Sequence, residues 1–410
     1  MLKNLDFSQY DVVIWIGSFC SENKFRSLNK LGRISASAFV SQRNLVEGIQ
    51  HSFHGLLISL SAFKVQGRGG KFIPSEHIQH GSNYQEYSAS SIVFPYLNDI
   101  WNTFSIKKEV NNILNKIGNK RALIFCYGLS YPYMKAAIML KRRLIDSKVC
   151  AIIPDLPEYM SENRNVVYRL AKKLDYIRIK SLLGKFDKYI CYTEAMFAKL
   201  NISADRGMVM EGSINVSELK EKESIELKQD DDKLRIMYSG ALSCGFGLEM
   251  LLEAFGLLQG NQYELWITGK GSLDGYIKRQ AEKDKRIKYY GFLESRQELI
   301  ELQSKVDAFY TGRLPSQEYS KYCFPSKIFE YMTAGKVTMA FAIDGIPPEY
   351  FNYLVEIQEE NADSICETIC RIKAMDYLEV HYRCSAGMDF VRNQKNNVYQ
   401  AQRILNFAAE

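Results

Sequence analysis

The chain has 410 residues, which is long for one hydrophobic core and predicts two domains of about 200 residues each. Apolar residues make up 46% of it and charged residues 24%, and no stretch approaches the roughly 20 uninterrupted apolar residues that cross a bilayer, which argues against a membrane-spanning protein. Nine cysteines without framework spacing, an N-terminus without a signal-peptide pattern and a net charge of +6 favour a cytoplasmic protein and do not indicate nucleic acid as its partner.

The first half of the chain alternates short apolar runs with helical patterns. Residues 11–16 form such a run, which ends at Gly17 as a buried first strand does when it feeds a loop. Alternation of this kind predicts parallel βαβ units, and therefore an α/β domain over residues 1–215 with ligand loops after the carboxyl ends of its strands. The other predicted strands lie at 55–61, 122–126, 149–153 and 188–192, and a predicted helix lies at 133–144.

Residues 216–233 are highly charged and lack aromatic residues, which predicts a surface linker to a second domain. The alternation of strands and helices restarts after it and predicts a smaller α/β domain over 234–388. Residues 389–407 have the pattern of a final helix. The predicted strands of the second domain lie at 234–239, 263–268, 287–290, 308–311 and 337–341, and its predicted helices at 248–258 and 297–304.

Three glycine-bearing loops follow predicted strands in the second domain. They contain Gly240, then Gly269 with Lys270, and then Gly291. Each loop offers a flexible backbone and exposed N–H groups to a phosphate or a sugar. None contains the complete dinucleotide-binding fingerprint, so a single loop is weak evidence, but together they indicate one crevice at this edge of the sheet.

The stretch 322–340, YCFPSKIFEYMTAGKVTMA, has the pattern of a short helix followed by a buried strand. Pro325 suits the first helical position because its fixed φ is helical and its missing N–H is not needed there. Gly335 suits the end of the helix because it adopts the left-handed conformation that closes a helix. One face of this helix is apolar and is expected to join the core; it contains Ile328, Phe329 and Met332.

The opposite face of the same helix contains Ser326, Lys327 and Glu330. A helix N-terminus with free N–H groups attracts phosphate, Lys327 adds a full positive charge, and Glu330 is placed to accept hydrogen bonds from sugar hydroxyls. The alternative is an ordinary solvated face of an amphipathic helix, with Ser326 capping its own helix.

The second half of the chain resembles the retaining glycosyltransferases of family 4, which have the GT-B fold and use activated nucleotide sugars. The order and spacing of four segments carry the resemblance, and the FPSK sequence of the last one is typical of an FPSK-type subgroup. These segments are 238–255, 265–279, 288–299 and 321–336, and the first half matches more loosely at 154–159, 192–194 and 211–212. The resemblance implies two Rossmann-like domains that face a deep inter-domain cleft, with a C-terminal helix over 389–410 that crosses back to pack on the first domain.

The chain departs from the family pattern at several positions. Many members have two glutamates eight positions apart, but here Glu330 fills the second position and Tyr322 the first. The 241–245 loop lacks the Arg and the Lys that many members have there, and the acceptor-domain His is replaced near 126–128. Arg313 follows a strand and precedes the FPSK helix, as an Arg does in the FPSK-type subgroup, and is our candidate for the missing charge.

The resemblance implies that the departing diphosphate gains negative charge in the transition state, where Arg313 and Lys327 stabilise it. Neither a metal nor another cofactor is then required. The nucleotide base is implied to lie against the 291–293 loop, and Gly17 either lets the donor approach closely or makes an ordinary turn. The residues predicted to bind the nucleotide sugar are Gly17, Gly240, Gly269, Lys270, Phe292, Leu293, Ser326, Lys327 and Glu330.

Two residues of the first domain are candidates for contact with the acceptor. Asp155 follows the strand at 149–153 and either binds or deprotonates the acceptor hydroxyl, or serves a turn, since Asp-Leu-Pro is also good turn chemistry. Tyr127 leaves the same alternatives open. In retaining enzymes of this kind the departing phosphate is itself a candidate acceptor for the proton.

Residues 164–188 contain eight Lys or Arg and two Asp among apolar residues, which predicts either a solvated helix or a surface that contacts anionic lipid at the inner face of the cytoplasmic membrane. We therefore expect a retaining glycosyltransferase of polysaccharide biosynthesis, whose partners are a nucleotide sugar, with UDP favoured over GDP, and a glycan or lipid-linked acceptor. The alternatives are a GT-B sugar-nucleotide epimerase or hydrolase, and a non-catalytic subunit that binds a nucleotide sugar. A nucleic-acid partner is not expected, because the basic residues do not accompany stacked aromatic residues in an RNA-binding motif.

Overall fold

The computed structural model describes residues 7–29, 35–63, 72–92, 97–159, 166–218 and 232–410. The chain divides into two compact units: the first unit is Met1–Asn215 with Asn396–Glu410, and the second is Val216–Lys395. Most of the predicted linker, residues 219–231, lies outside the described residues.

Both units are built from strands and helices in the α/β order that the sequence predicts. The strands are β1 (Val12–Gly17), β2 (Leu56–Ser61), β3 (Phe72–Ile73), β4 (Glu76–His80), β5 (Tyr84–Ser88), β6 (Ser91–Ile92), β7 (Ala122–Tyr127), β8 (Lys148–Ile153), β9 (Lys188–Cys191), β10 (Gly207–Val209), β11 (Leu234–Ala241), β12 (Tyr263–Lys270), β13 (Ile287–Tyr289), β14 (Ala308–Tyr310), β15 (Val337–Phe341) and β16 (Val355–Ile357). The α-helices are α1 (Glu22–Asn29), α2 (Ala36–Ser52), α3 (Asn98–Ile117), α4 (Tyr131–Lys141), α5 (Val166–Leu183), α6 (Ala195–Leu200), α7 (Leu248–Leu257), α8 (Asp274–Lys283), α9 (Arg296–Ser304), α10 (Lys327–Thr333), α11 (Ala362–Ala374), α12 (Tyr377–Gln394) and α13 (Asn397–Ala409).

The first unit contains an eight-stranded sheet in the order β10-β9-β8-β7-β1-β2-β5-β4. Its strands are parallel except β4, which pairs with β5 in the antiparallel sense. Every residue of β1 and of β7 is buried, because both faces of a parallel sheet are covered by helices. A separate two-stranded sheet joins β3 to β6.

The helices of the first unit pack in two groups. Helix α3 packs on α4 and α4 packs on α5, whereas α13 packs on α2 and contacts β7, β8 and β9. The sequence predicts one final helix over 389–407, but the structure divides this stretch between α12 of the second unit and α13 of the first. The break occurs because Asn396 is extended and its side chain accepts a hydrogen bond from the Tyr399 N–H, which starts a new helix.

The second unit contains a six-stranded, wholly parallel sheet in the order β13-β12-β11-β14-β15-β16. Met237, Trp266, Val306 and Phe309 form a buried cluster with Tyr331 of α10. The carboxyl ends of β11, β12 and β14 meet at one edge of this sheet, so the loops that follow these strands lie near one another.

Candidate functional site

Helix α10 is held to the sheet of the second unit by its apolar face. Ile328, Phe329 and Met332 are buried, as the sequence predicts. Tyr331 is buried as well, and its ring stacks on Phe309 with 4.1 Å between the ring centroids and 3° between the ring planes. Packing on this side fixes which way the polar face of α10 points.

The polar face of α10 carries an ion pair that is linked to the sheet. The Lys327 Nζ lies 3.3 Å from Glu330 Oε2 and donates to Ser239 Oγ at 3.2 Å. The other oxygen of Glu330 accepts a hydrogen bond from the buried Gln303. Both charged side chains keep about a third or more of their surface exposed, so the pair is oriented by its partners and still accessible to a ligand.

The N-terminus of α10 is predicted to bind phosphate, and this stays a prediction. Its first turn is tight: the Ile328 N–H donates to the Pro325 carbonyl at 2.9 Å, and the Phe329 N–H donates to the Ser326 carbonyl at 3.2 Å. These N–H groups are therefore not free for a phosphate. The Ser326 side chain is exposed and makes no capping hydrogen bond, so charge on this face comes from the Lys327 side chain.

Ser239 and Tyr331 belong to the candidate site, but sequence analysis did not identify them. Ser239 is the sixth residue of β11, and its N–H and hydroxyl lie 3.2 and 3.1 Å from the Tyr331 hydroxyl. The Tyr331 hydroxyl also donates to the Ser239 carbonyl at 3.2 Å. The position of Ser239 immediately before Gly240, at the carboxyl end of a buried strand, is the one signal that indicates it.

Arg313 lies between two aromatic rings in the loop after β14. Its guanidinium carbon is 4.7 Å from the centroid of Phe246 and 5.0 Å from that of Tyr319, and Nη2 is 3.8 Å from Cys323 Sγ. Cation–π contacts orient the guanidinium without neutralising it. Within the described part of the chain no carboxylate pairs with Arg313, so a half-buried positive charge lies beside the 241–247 loop.

The Tyr319 hydroxyl donates to the Gly245 carbonyl at 3.2 Å and so connects the loop after β14 to the loop after β11. The structure thus places Arg313 beside the loop that has no Arg or Lys. Its role in catalysis stays a prediction.

Gly240 and Gly269 occupy paired positions at the ends of β11 and β12. A Cβ on Gly269 would lie 1.8 Å from the Gly240 carbonyl oxygen, so the close approach of these two strand ends requires glycine. The Gly269 N–H donates to the Gly291 carbonyl at 2.9 Å, which brings the third glycine loop to the same edge. Three glycine loops therefore meet in the second unit.

Lys270 and Phe292 are neighbours at this edge. Both side chains are exposed, and the Lys270 Nζ lies 4.3 Å from the centroid of the Phe292 ring, while Leu293 is partly buried beside it. An exposed aromatic ring next to a lysine is a surface on which a nucleotide base can stack.

A groove of about 490 Å³ lies on another side of the 241–247 loop. Four carboxylates line it, which disfavours a phosphate there because like charges repel. Lys327, Glu330 and Arg313 are not part of its lining. The acidic side chains are Glu249, Glu253, Glu360 and Asp363.

Tyr127 of the first unit is the last residue of β7 and is buried. Its hydroxyl lies 3.3 Å from that of Tyr192, which follows β9. Asp155, after β8, is exposed and close enough to both tyrosines to raise their pKa values. Tyr192 was not predicted individually, although the sequence 192–194 contributed to the family resemblance.

Burial is the main cause that raises the pKa of Tyr127 well above its ordinary value, followed by the nearby Tyr192 and Asp155. Burial likewise raises the pKa of Tyr192 to about 12, although its hydrogen bond with Tyr127 opposes the change. Both phenols are therefore protonated at neutral pH. A protonated Tyr127 is not suited to deprotonate an acceptor hydroxyl, and its predicted contact with the acceptor stays a prediction.

Gly17 is the last residue of β1 and packs on the Gln42 side chain, whose oxygen would lie 2.1 Å from a Cβ at this position. Gln42 accepts hydrogen bonds from the Trp15 indole at 3.3 Å and from the Ser18 N–H at 3.0 Å. The close approach at Gly17 is thus made by a side chain of the same unit. Its predicted contact with a donor stays a prediction.

The predicted basic segment 164–188 is described only in part, since residues 160–165 lie outside the described residues and the side chains of 166–172 are not described. Among the residues that the structure describes, no three His, Cys, Asp or Glu side chains are gathered as ligands for one metal ion. Nor does any described helix combine the length and the apolar character needed to span a bilayer.

Residues 233–374 match the family model for Glycosyl transferases group 1. This range contains Arg313, Lys327, Glu330 and the three glycine loops. Comparison with curated protein sequences found no significant match.

Solved structures resemble the chain over nearly its whole length. The UDP-forming α,α-trehalose-phosphate synthase from Burkholderia xenovorans, in complex with glucose-6-phosphate, has a TM-score of 0.65 at 12% identity and covers 97% of this chain and 99% of its own. HepE from Anabaena in complex with UDP has a TM-score of 0.58 at 12% identity, covering 96% and 98%. The apo lipopolysaccharide outer core galactosyltransferase WaaB has a TM-score of 0.60 at 12% identity, covering 97% and 98%.

These likenesses confirm the predicted α/β architecture with parallel sheets in two Rossmann-like units. The sequence match supports a glycosyltransferase. The chain therefore has the GT-B fold, and residues 233–374 of its second unit match the glycosyl transferases group 1 model.

Proposed function

We propose that the protein is a retaining glycosyltransferase of the FPSK-type subgroup of family 4, which moves a hexosyl group from a nucleotide diphosphate sugar to a glycan or lipid-linked acceptor in polysaccharide biosynthesis. The second unit binds the donor, and the first binds the acceptor. UDP is favoured as the nucleotide because HepE and the trehalose-phosphate synthase, which share the fold, are described with UDP or as UDP-forming.

One observation carries this proposal: Arg313, in the domain that matches the glycosyltransferase model, pairs with no carboxylate among the described residues. A half-buried cation without a carboxylate partner has lost part of its hydration, and an anionic ligand restores the favourable interaction. Its guanidinium is planar and presents several N–H donors, which suits the oxygens of a diphosphate.

Lys327 and Glu330 divide the remaining donor contacts. The Lys327 ammonium adds a second positive charge for the diphosphate. Glu330, held by Lys327 and Gln303, accepts hydrogen bonds from ribose hydroxyls. The base lies against the 291–293 loop, where Phe292 is exposed.

In the proposed reaction the bond between the anomeric carbon and the diphosphate oxygen breaks, and its electron pair goes to that oxygen. Arg313 and Lys327 stabilise the negative charge as it forms, so their interaction strengthens in the transition state. The acceptor oxygen bonds to the anomeric carbon on the same face, and its proton passes to the departing phosphate oxygen. Neutral Tyr127 and the Asp155 carboxylate hold the acceptor hydroxyl.

The donor site is tested by calorimetric titration of the protein with UDP and GDP, in the wild type and in Lys327→Ala. We expect UDP to bind, and Lys327→Ala to weaken it at least about tenfold, since one charge-assisted contact is lost. Lys283→Ala removes an exposed lysine elsewhere in the same unit and is the matched control. If neither UDP nor GDP binds to the wild type, the proposed donor site is wrong.

The reaction class is tested by incubating the protein with a radiolabelled UDP-sugar, with and without a lipid extract that contains acceptors. Acceptor-dependent transfer that Lys327→Ala abolishes agrees with the proposal. Conversion of the donor at the same rate without acceptor indicates a hydrolase or epimerase instead. Binding of UDP without any turnover indicates a non-catalytic subunit.

A further inference from the structure

Helix α3 of the first unit exposes a stripe of large apolar side chains along its first two turns. The four side chains have exposures between 39% and 71%, and their spacing of three, one and three residues places them on one face. The opposite face of the helix contains the buried Ile106, Val110 and Ile113, so the stripe is not part of the core. The stripe consists of Leu97, Ile100, Trp101 and Phe104.

Phe72 of β3 extends this stripe beyond the helix. Its side chain is exposed, and its ring meets that of Trp101 edge-on with 6.0 Å between the centroids. Trp101 is oriented further by its indole N–H, which donates to Ser90 Oγ at 3.2 Å. Contiguous exposed apolar surface of this kind marks a place where a protein meets a membrane or another molecule.

The charge that borders the stripe is positive. Lys107 and Lys108 are exposed on the next turn of α3, while Glu109 is buried and accepts a hydrogen bond from Asn112. Asp99 is the one carboxylate between residues 97 and 108, and it is only partly exposed. An anionic partner is therefore favoured.

Helix α5 also presents exposed apolar side chains beside lysines. It belongs to the same layer of helices as α3, because α3 packs on α4 and α4 packs on α5. Leu174 and Ile177 are exposed there, and so are Lys173 and Lys180. Asp175, the carboxylate among them, is partly buried. The two helices that pack on α4 thus each present apolar side chains together with lysines.

We propose that the α3 stripe with Phe72, together with residues 173–180 of α5, forms a lipid-docking surface that binds an anionic bilayer. Aliphatic and aromatic side chains enter the interfacial region, and the adjacent lysines contact the acidic headgroups. The favoured occupant is a bilayer because the exposed lysines lie next to exposed apolar side chains, as on interfacial helices, while Asp99 and Asp175 are partly buried. The expected lipid contact of 164–188 is thereby extended to α3.

The lipid-docking surface lies on the unit that carries Tyr127 and Asp155. Helix α3 carries the stripe at its start and leads into β7, so the stripe lies toward the edge where the parallel strands end, which is also the edge of those two residues. Docking would bring a lipid-linked acceptor to that edge, and this last point alone rests on the proposed function. Bilayer binding itself requires no donor, acceptor or turnover.

The protein reports this binding through its own fluorescence. Of its three tryptophans, Trp15 and Trp266 are 0% and 7% exposed, whereas Trp101 is 39% exposed and lies in the stripe. We expect the emission to shift to shorter wavelength with vesicles that contain about one third phosphatidylglycerol, and the protein to co-sediment with them. Phosphatidylcholine vesicles should bind at least about tenfold less protein, since they lack acidic headgroups.

Two double variants distinguish binding through the lipid-docking surface from nonspecific hydrophobic adsorption. Ile100→Ser with Phe104→Ser, two exposed residues one helical turn apart, should weaken vesicle binding at least about tenfold. Leu378→Ser with Tyr382→Ser changes two exposed apolar residues at the same spacing on α12 of the second unit and should leave binding unchanged.

The basic border is tested in the same way. Lys107→Glu with Lys108→Glu should weaken binding to the anionic vesicles at least about tenfold, while Lys283→Glu with Lys285→Glu, a matched exposed pair, should not. Circular dichroism shows whether each variant is folded.

Three results would overturn the proposal. The first is a wild type that binds no anionic vesicle, and the second is an equal loss in the α12 variant. The third is a protein that sediments as a dimer without lipid, ignores vesicles and becomes monomeric with Ile100→Ser and Phe104→Ser, because the occupant is then a second copy.

Discussion

The two units place different chemistry at the carboxyl ends of their strands. The second unit presents formal charge there: Arg313, Lys327 and Glu330. The first unit presents the neutral, buried hydroxyls of Tyr127 and Tyr192, with one exposed carboxylate nearby. The same kind of parallel sheet thus carries ionic side chains in one unit and neutral, hydrogen-bonded hydroxyls in the other.

This difference suits the two substrates of a glycosyl transfer. A diphosphate is strongly anionic, and its charge is met by cations that are themselves held by aromatic rings or hydrogen bonds. An acceptor hydroxyl is neutral, and protonated phenols can bind it without a charge of their own. Variants in the second unit should therefore change donor binding and chemistry, and variants in the first unit should change the use of the acceptor.

The largest effect is expected for Arg313→Ala. Removal of a cation that stabilises the departing phosphate should lower kcat about 100-fold to 1000-fold, as loss of one preorganised charge-stabilising donor does in other enzymes. Arg313→Lys keeps the charge but loses the planar contact with Phe246 and Tyr319, so it should recover part of the rate. Steady-state kinetics with a UDP-sugar measure both.

Arg279→Ala, an exposed arginine of α8, serves as the control for Arg313→Ala. If Arg313→Ala keeps the wild-type kcat while the protein remains folded, the assignment of the leaving-group charge to Arg313 is wrong, and the ionic surface of the second unit has a different purpose.

Sequence periodicity predicted ten of the described strands and missed β3 to β6, β10 and β16, which are short or polar. β5 was not predicted because its sequence, YQEYS, has no apolar run, yet all five of its residues are buried. It can be buried because its polar groups are satisfied by neighbouring strands: the Tyr84 and Ser59 hydroxyls lie 3.0 Å apart, and those of Ser88 and Ser61 2.8 Å apart. Such pairs depend on contacts between strands, which local periodicity does not contain.

In the candidate site, too, local sequence predicts some features, and others depend on contacts between distant segments. The 3.6-residue period placed Lys327 and Glu330 on one face of α10, because both lie within a single helix. Their partners Ser239 and Gln303 come from a strand and a helix elsewhere in the chain, so only the fold brings them together. The tight first turn of α10 was also unpredictable, since Pro325 and Ser326 permit either helix type.

Acid should destabilise the second unit through Glu264, at the amino end of β12. Burial raises the pKa of this carboxyl, but hydrogen bonds from Lys233, Trp266 and Lys288 outweigh it and lower the pKa to about 2. A depressed pKa in the folded state stabilises it above the ordinary value of 4.5, and this contribution is lost as the pH falls from about 4.5 to about 2.

Glu264→Gln should therefore lower the free energy of unfolding at pH 7 by on the order of 2 kcal/mol and flatten its dependence on pH below about 4.5. Urea unfolding at several pH values measures this. Glu282→Gln, an exposed residue of α8, should change neither quantity. An unchanged pH dependence in Glu264→Gln would show that the charge at this edge contributes little to the stability of the second unit.

The smallest effect is expected for the hydroxyl pair of the first unit. Tyr192→Phe removes one partner of the bond to Tyr127 and should cost about 1 kcal/mol of stability, because a buried hydrogen bond contributes roughly that much.

Tyr127→Phe should raise the KM for the acceptor several-fold, with UDP affinity and the pH dependence of kcat unchanged, since a protonated phenol binds the acceptor without exchanging a proton. Tyr377→Phe, an exposed residue of α12 outside both proposed sites, is the control. A change in UDP affinity with Tyr127→Phe would contradict the separation of donor and acceptor chemistry between the two units, and a shifted pH profile would assign Tyr127 to proton transfer.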